Sequence, residues 1–563
     1  MERIILPKGE YLLYGFEQEG LHIIPPHGQP KRFRGDTLLW LLPANQQGQS
    51  RQYRCGQYSV KTTRRETVVT FDSAPEERAF PPLPCCDFFG NEMTFDLPEK
   101  AVFETTFAQF YWGSLLNQIA ERTVLRKKKD IREGYVLSTL DKTAYAGTYP
   151  AVDHEFHMKG RFAVGGKAEA ALIRRMLLLQ LKVMREDKQK LYRNVCAIQP
   201  NRRREYNVWR YSENHKVKAQ MFRITANIEF VEGVYNYYAL TKDRTFISDH
   251  IDDLEKNCAY IERFLTPDGF LDSHVHFEDQ VIKNFAVLQS QLFAANAMRL
   301  MGALETLLGR TKQAARYQTL AQRLGQKAVL PFPDGFWDDT QKRFIDWIDK
   351  DGVKHDHVHL LANELPVLFG FASKEQADGC RAAIEENRAV FDLFPSFVAA
   401  KVEDYTLDEI GVGGPYDLCA AGRYWCWDAM FLASQENGAG LLRQLLQVCA
   451  QAQTDRYQMG ERYDMNHVYY NTGADAARNW HGAKQYYEYP NVWIYIFVCL
   501  YLGVRRGFDC ALELSPLFRN GSVTLAQYGV AFTVTEGKVT EIRNLGDKPL
   551  TVLLPRENRT VTV

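Results

Sequence analysis

The chain has 563 residues, with 69 Lys and Arg set against 69 Asp and Glu. That neutrality argues against a nucleic-acid partner, whose phosphates need a basic excess, and against polybasic membrane attachment. Hydrophobic residues make up 45% and aromatic residues 13%, so a large core is available and the rings need a location.

A chain of this length exceeds one compact core, so several structural units are expected. Residues 1–105 carry short β-rich segments: Tyr11–Phe16, Thr37–Leu42, Tyr53–Val60 and Glu66–Phe71. Gly, Pro and polar clusters separate them, which predicts an N-terminal β-sandwich-like domain. Residues 106–149 form a linker region, with a helix expected from Glu104 to about Lys129. Its basic end, Arg126-Lys127-Lys128-Lys129, reads as a solvated helix terminus. The N-terminus has no apolar run of signal-peptide length, and the 11 cysteines have no zinc spacing. Reduced thiols in a cytoplasmic protein are therefore expected.

From 150 to 506 the period changes. Apolar residues recur at three and four in Ala170–Met184, Met221–Leu240, Val287–Leu308 and Leu441–Ala452, which predicts helices. Short turns recur at Gly165, Thr241, Gly309, Gly370, Gly438 and Gly503, at intervals of 61 to 76 residues. These intervals exceed the roughly 34–47 residues of helical solenoid repeats. Six corners predict a mainly α fold of six helical hairpins closed into an (α/α)6 barrel. Short turns would lie at one end and long loops at the other. The long segments are Gln199–Lys218, Pro267–Asn284, Phe332–His359, Phe391–Tyr424 and Asp455–Pro490, which leave room for a site. Residues 507–563 return to short β segments and predict a small C-terminal β unit.

Three motifs stand in order in this region. The first is Gly269-Phe270-Leu271-Asp272, followed by Gly335-Phe336-Trp337-Asp338. The second runs from Gly413-Gly414-Pro415-Tyr416 to Trp425-Cys426-Trp427, and the third is Gly460-Glu461-Arg462-Tyr463-Asp464. Together they resemble the six-hairpin glycosidase superfamily, which includes amylo-α-1,6-glucosidases, processing α-glucosidases, α-L-rhamnosidases and inverting phosphorylases. The resemblance covers about two thirds of the chain and implies chemistry at a glycosidic bond. Asp417-Leu418 departs from it, standing where the superfamily has Asn-Gly.

Glycoside hydrolysis uses one protonated carboxyl and one ionised carboxylate, roughly 6.5–9.5 Å apart in an inverting enzyme. Asp272 matches the motif position of the acid. The residues themselves leave Glu278 and Asp279 open, because apolar Phe277 beside them would raise a carboxyl pKa. Glu461 is the candidate base, with Asp464 in reserve. The superfamily's early loop carries an acidic residue that contacts sugar hydroxyls. Asp153 is the match here, followed by Glu155, with His157 beside them. Trp209 and Arg210 offer a ring and a fork donor for a planar or acidic sugar group.

The run His355-Asp356-His357-Val358-His359 would hold a metal only if its alternation survived into the next helix. The alternation is expected to break, so no metal and no cofactor is expected. His276, His357 and His359 are read as sugar hydrogen-bonders. Rings crowd residues 405–490, and Tyr416, Trp425, Trp427, Tyr463 and Trp480 are candidates for stacking on a sugar.

The reading is an inverting glycoside hydrolase acting on a small oligosaccharide or glycoconjugate, without nucleic-acid or membrane partners. A polysaccharide lyase would use Tyr206, His215 and Arg210 instead. A phosphorylase would need a phosphate cradle, and no Gly-rich one is seen. A sugar-binding protein would bind without turnover.

Overall fold

The computed structural model describes the strands between residues 2 and 78, then residues 93–115, 118, 136–139, 149–199, 203–206, 208–415, 417–455, 457–464, 480–481, 483, 486–509 and 511–563. The N-terminal strands form two antiparallel sheets. One has four strands in the order Glu2–Pro7, Glu66–Phe71, Tyr58–Thr62 and Arg51–Cys55. The other has five, from Trp40–Leu42 through Leu12–Phe16, Gly20–Ile24 and Lys31–Phe33 to Glu77–Arg78. The segment Tyr53–Val60, expected as one strand, is divided between two, with Tyr53 paired to Val60.

Helix α1 (Lys100–Phe110) begins earlier than the sequence suggested, and residues beyond 118 up to 135 lie outside the described part. Then come α2 (His154–Val164), α3 (Gly166–Arg185), α4 (Thr225–Thr241) and α5 (Arg244–Glu262). They are followed by α6 (Leu288–Leu307), α7 (Thr311–Val329), α8 (Leu360–Leu368), α9 (Lys374–Glu386) and the one-turn α10 (Arg388–Phe391). The last are α11 (Gly422–Ser434), α12 (Gly438–Thr454) and α13 (Glu488–Tyr495).

Burial sorts these helices into two sets. Every residue of α2 is buried, and α6 is buried along almost its whole first three turns. By contrast α7 buries one stripe: Ala314, Tyr317, Ala321, Leu324, Gly325 and Ala328. A helix covered all round is an inner helix, and a striped one packs with its other face in water. The inner contacts run α2 to α4, α4 to α6, α6 to α8, α8 to α11, α11 to α13, and α13 back to α2. Helices α3, α5, α7, α9 and α12 each pack on the inner helix that precedes them. The α13–α2 contact closes on Gly160 of α2, where an added Cβ would lie 2.9 Å from the Asn491 Cα of α13.

The first five predicted corners join inner to outer helices. The sixth does not. Gly503, at φ +71°, turns the chain into a strand, Val504–Arg506, and its missing Cβ would meet the Ser515 backbone at 2.2 Å. The sixth outer position is filled from the N-terminal side by α1, which packs on α12 and α13.

The C-terminal residues form two four-stranded sheets. One orders Met93–Asp96, Gly521–Leu525, Val530–Thr535 and Lys538–Asn544, so a strand that precedes all the helices joins the last part of the chain. Met93 pairs with Leu525 and Asp96 with Ser522. The other orders Val504–Arg506, Leu512–Leu514, Thr551–Leu554 and Arg559–Thr562, with a parallel central pair. Among the described residues no helix is long and apolar enough to cross a membrane.

Candidate active site

The long connections all run into the starts of inner helices, and small sheets stitch them together. Tyr149–Pro150 pairs with Ala197–Ile198, and Ala420–Ala421 with Arg462–Tyr463. Val281 bridges to Ile410, and Ser212 to Gly411. These pairings gather segments far apart in sequence around one cleft of about 660 Å³, part of it open solvent. Its walls include Asp153 before α2, Phe222 before α4, Asp279 before α6, Arg423 at the start of α11, and Glu461, Arg462 and Tyr486 before α13. Inner-helix N-termini therefore point toward the carboxylates, the favourable sense of the helix dipole.

Charge in this cleft is arranged as a chain. Arg462 Nη1 lies 2.7 Å from Glu461 Oε1, and its Nε lies 2.8 Å from Asp417 Oδ1. Asp417 is in turn hydrogen-bonded to the side chain of Asp279. Its Oδ2 also accepts the Gln280 backbone N–H at 2.7 Å. Burial pushes the Asp417 carboxyl well above the usual carboxylate range. Arg462 opposes that shift, and the Asp279 charge adds to it. Two carboxyls sharing one hydrogen bond retain a proton that a lone surface carboxylate would lose. Arg210 Nη2 approaches Asp279 Oδ2 at 3.5 Å, and its Nε is buried without a hydrogen-bond partner.

On the other wall Arg423 Nη2 lies 3.0 Å from Glu488 Oε2, 3.5 Å from Asp153 Oδ1 and 3.9 Å from Glu461 Oε1. Tyr486 donates its hydroxyl to Asp153 Oδ2. Burial raises the Asp153 carboxyl, against the pull of Arg423 and Tyr486. Glu488 is raised to about 7, again by burial first. Glu461 Oε2 accepts the Ala483 N–H at 3.1 Å.

Of the three acid candidates, Asp279 alone lines the cleft. Asp272, favoured by its motif position, stands elsewhere. It is about a third exposed and pairs with Arg223 at 3.0 Å and His274 at 3.2 Å. Burial raises its carboxyl, but the His274 hydrogen bond and the Arg223 charge win and hold it below the usual range. A general acid needs the opposite shift. Glu278 is fully buried and accepts from His359 Nε2 at 2.7 Å, Gln289 Nε2 at 3.0 Å and Lys283 Nζ at 3.2 Å. Neither candidate at 278 or 279 caps the next helix, whose N-cap is Val287.

The binding candidates divide in the same way. Asp153 and Arg210 line the cleft, and Asp153 occupies an N-cap position without capping. Glu155 points into the helix ring, where Lys159 pairs with it and with Glu232, and burial lifts it to about 8. His157 is buried in α2 with neither ring nitrogen hydrogen-bonded. Trp209 faces outward at 44% exposure, under the Lys218 ammonium. His276 stacks on Phe293 in the core, and His359 caps α8 by accepting the Ala362 N–H. His357 turns to Glu409, outside the cleft.

The rings are mostly structural. Trp425 donates to Gln444, Trp427 packs on Phe293 under Lys159, and Tyr463 donates to Asp455. Asp464 is buried near the Cys419 thiol, and the backbone of Trp480 pairs with Tyr463. Tyr416 lies outside the described residues. Among the described residues Phe222 and Tyr486 are the aromatic walls of the cleft. The lyase set is not assembled, because His215 is exposed and Tyr206 lies against Arg193, leaving only Arg210 in the cleft.

Three residues of this charge network were not anticipated: Asp417, Arg423 and Glu488. Asp417 did leave a signal, as a carboxylate standing where the resembling motif has an amide.

No family model and no curated protein matches the chain. Solved structures do. A GH78 family rhamnosidase of Bacillus sp. GL1 is similar at 13% identity and a TM-score of 0.52, over 94% of this chain and 48% of that one. An α-L-rhamnosidase from Dictyoglumus thermophilum is similar at 11% and 0.52, over 95% and 53%. A structure described as a sialidase is similar at 11% and 0.51, over 95% and 57%. The chain thus spans about half the length of these structures. At such identities the likeness is one of fold alone.

Proposed function

We propose that this chain is an inverting glycoside hydrolase built on an (α/α)6 barrel. Asp279 would be the general acid and Glu461 the general base. The observation that carries this reading is the chain Asp279–Asp417–Arg462–Glu461 along one cleft, with a proton-holding carboxyl pair at one end and a guanidinium-paired carboxylate at the other. That separation of environments is what acid and base roles require.

In the reaction Asp279 gives its proton to the leaving glycosidic oxygen as the bond to the anomeric carbon breaks. Glu461 takes a proton from a water that attacks the same carbon from the opposite face. The product is a hemiacetal of inverted configuration and a free alcohol. Asp417 stands beside the acid, and Arg462 pairs with the base at 2.7 Å. Asp153, oriented by Tyr486 and Arg423, would hold sugar hydroxyls. Arg210 Nε would supply a further donor. A cleft of this size suits a small oligosaccharide or glycoconjugate.

The test is a screen of aryl glycosides, beginning with α-L-rhamnosides and sialosides because the fold neighbours carry those names. Proton NMR would follow the first-formed sugar. The expected result is cleavage of at least one glycoside with inverted anomeric configuration. Cleavage with retention would remove the base role of Glu461. An unsaturated product would select a lyase instead.

A further inference from the structure

The histidine run at 355–359 is not used by the cleft. Lys354–His355 is a strand paired to Trp347–Ile348, and the chain stays extended to His359 before α8 begins. His355 and His357 share a side, and the alternation breaks at His359, which turns to Glu278. Both face one carboxylate oxygen. His355 Nδ1 lies 2.5 Å from Glu409 Oε1, and His357 Nε2 lies 2.9 Å from the same atom. One ligand atom from each of the three residues falls within 4.8 Å of the other two.

We propose that His355, His357 and Glu409 form a binding site for a divalent cation of the zinc class. Two imidazoles and one carboxylate are a donor set for zinc or its neighbours, and calcium and magnesium prefer all-oxygen sets. With ligands about 2 Å from the ion, tetrahedral spacing needs the two imidazole–carboxylate distances to open by less than about 1 Å.

The surroundings are those of a built site. A ligating imidazole turns its other nitrogen toward a carboxylate, and a ligating carboxylate is itself hydrogen-bonded. Here the buried Nε2 of His355 faces Asp349 Oδ2 at 3.6 Å, with no hydrogen bond of its own. Glu409 Oε2 accepts the Thr406 N–H at 2.7 Å. Stacking fixes both rings: His355 on Trp347 at 4.3 Å and 6°, and His357 on Tyr405 at 3.7 Å and 11°. The side chains of His355 and His357 remain 20% and 15% exposed, which leaves an entry path and a fourth position for water.

The site has a mechanical consequence. Ile282 N donates to Glu409 O at 2.7 Å, and Gly411 N to Gln280 O at 2.8 Å. An ion here would pin the 405–411 loop against the segment that carries Asp279. The ion-binding claim stands without the hydrolase reading.

The experiment uses the full chain, treated with chelator, dialysed, and titrated with Zn²⁺ by calorimetry. Co²⁺ serves as a spectroscopic probe, its visible bands reporting tetrahedral nitrogen and oxygen ligation. One equivalent is expected to bind and to raise the melting temperature. His357→Ala and Glu409→Gln should each weaken binding at least about tenfold, and Asp349→Asn by up to about tenfold. Circular dichroism checks that each variant is folded, and His357→Gln replaces any alanine variant that is not. Absence of saturable binding to the wild-type chain overturns the proposal. So does one-equivalent binding that is unchanged in the folded His357 and Glu409 variants.

Discussion

Glu278 and Asp279 are neighbours in the chain and have opposite surroundings. Glu278 sits in a closed group with Lys283, Gln289 and His359, and Lys283 also reaches Asp346 at 2.9 Å. Burial alone would raise its carboxyl, but the Lys283 charge and the His359 hydrogen bond hold it well below the usual range. Asp279 instead shares a hydrogen bond with Asp417 and opens onto the cleft. The chain turns here, with Val281 N donating to Glu278 O at 3.3 Å, so one residue of sequence separates an anion paired with a cation from one set beside a second carboxyl. Burial is common to both. The sign of the neighbouring charge is what separates them.

Removing groups from each side should break this contrast in different ways. The largest effect is expected at the base. Glu461→Gln should lower kcat by at least about a hundredfold, the scale of general acid–base help, with the melting temperature near that of the wild type. Steady-state kinetics with a cleaved glycoside and a thermal melt check the two halves.

Glu278→Gln should do the reverse. It leaves Lys283 with Asp346 as its sole partner and should cost about 3 kcal/mol, read by urea unfolding, with turnover per folded molecule retained. The folded-state value of Glu278 lies below its ordinary 4.5. Its contribution is therefore complete above that pH and is lost as pH falls further. The variant should lack this part of the acid destabilisation.

A smaller, more pointed effect belongs to Asp417→Asn. Removing the like charge lowers the pKa of the remaining acid, so the basic limb of the kcat/KM profile should move down by roughly one pH unit. An unmoved limb would mean that Asp417 does not hold the proton on Asp279.

The helices were legible in the sequence because their signals are local. The apolar period marks each helix, and five of six corners fall between the helices they were expected to join. The sixth corner misled because its outer partner, α1, comes from the other end of the chain. The site was less legible for the same reason. Asp279 owes its position to pairings such as Val281 with Ile410, more than a hundred residues apart, and no local pattern distinguishes it from Asp272 or Glu278. The rings between 405 and 490 looked like a sugar platform. Most of the described ones fill the core, because inner helices covered on every side need large apolar side chains. Arg423 and Glu488 begin α11 and α13, where they read simply as helix-start residues.

The most direct test of the central claim is the dependence of Asp279→Asn on the leaving group, measured beside Asp272→Asn. A missing acid matters when the leaving oxygen needs a proton and matters little when it does not. For an alkyl glycoside, Asp279→Asn should lose at least about a hundredfold in kcat/KM, and for a dinitrophenyl glycoside it should stay within about tenfold of the wild type. Asp272→Asn should follow the wild type on both. Equal losses of Asp279→Asn on the two substrates, or a leaving-group-dependent loss in Asp272→Asn, would contradict the assignment.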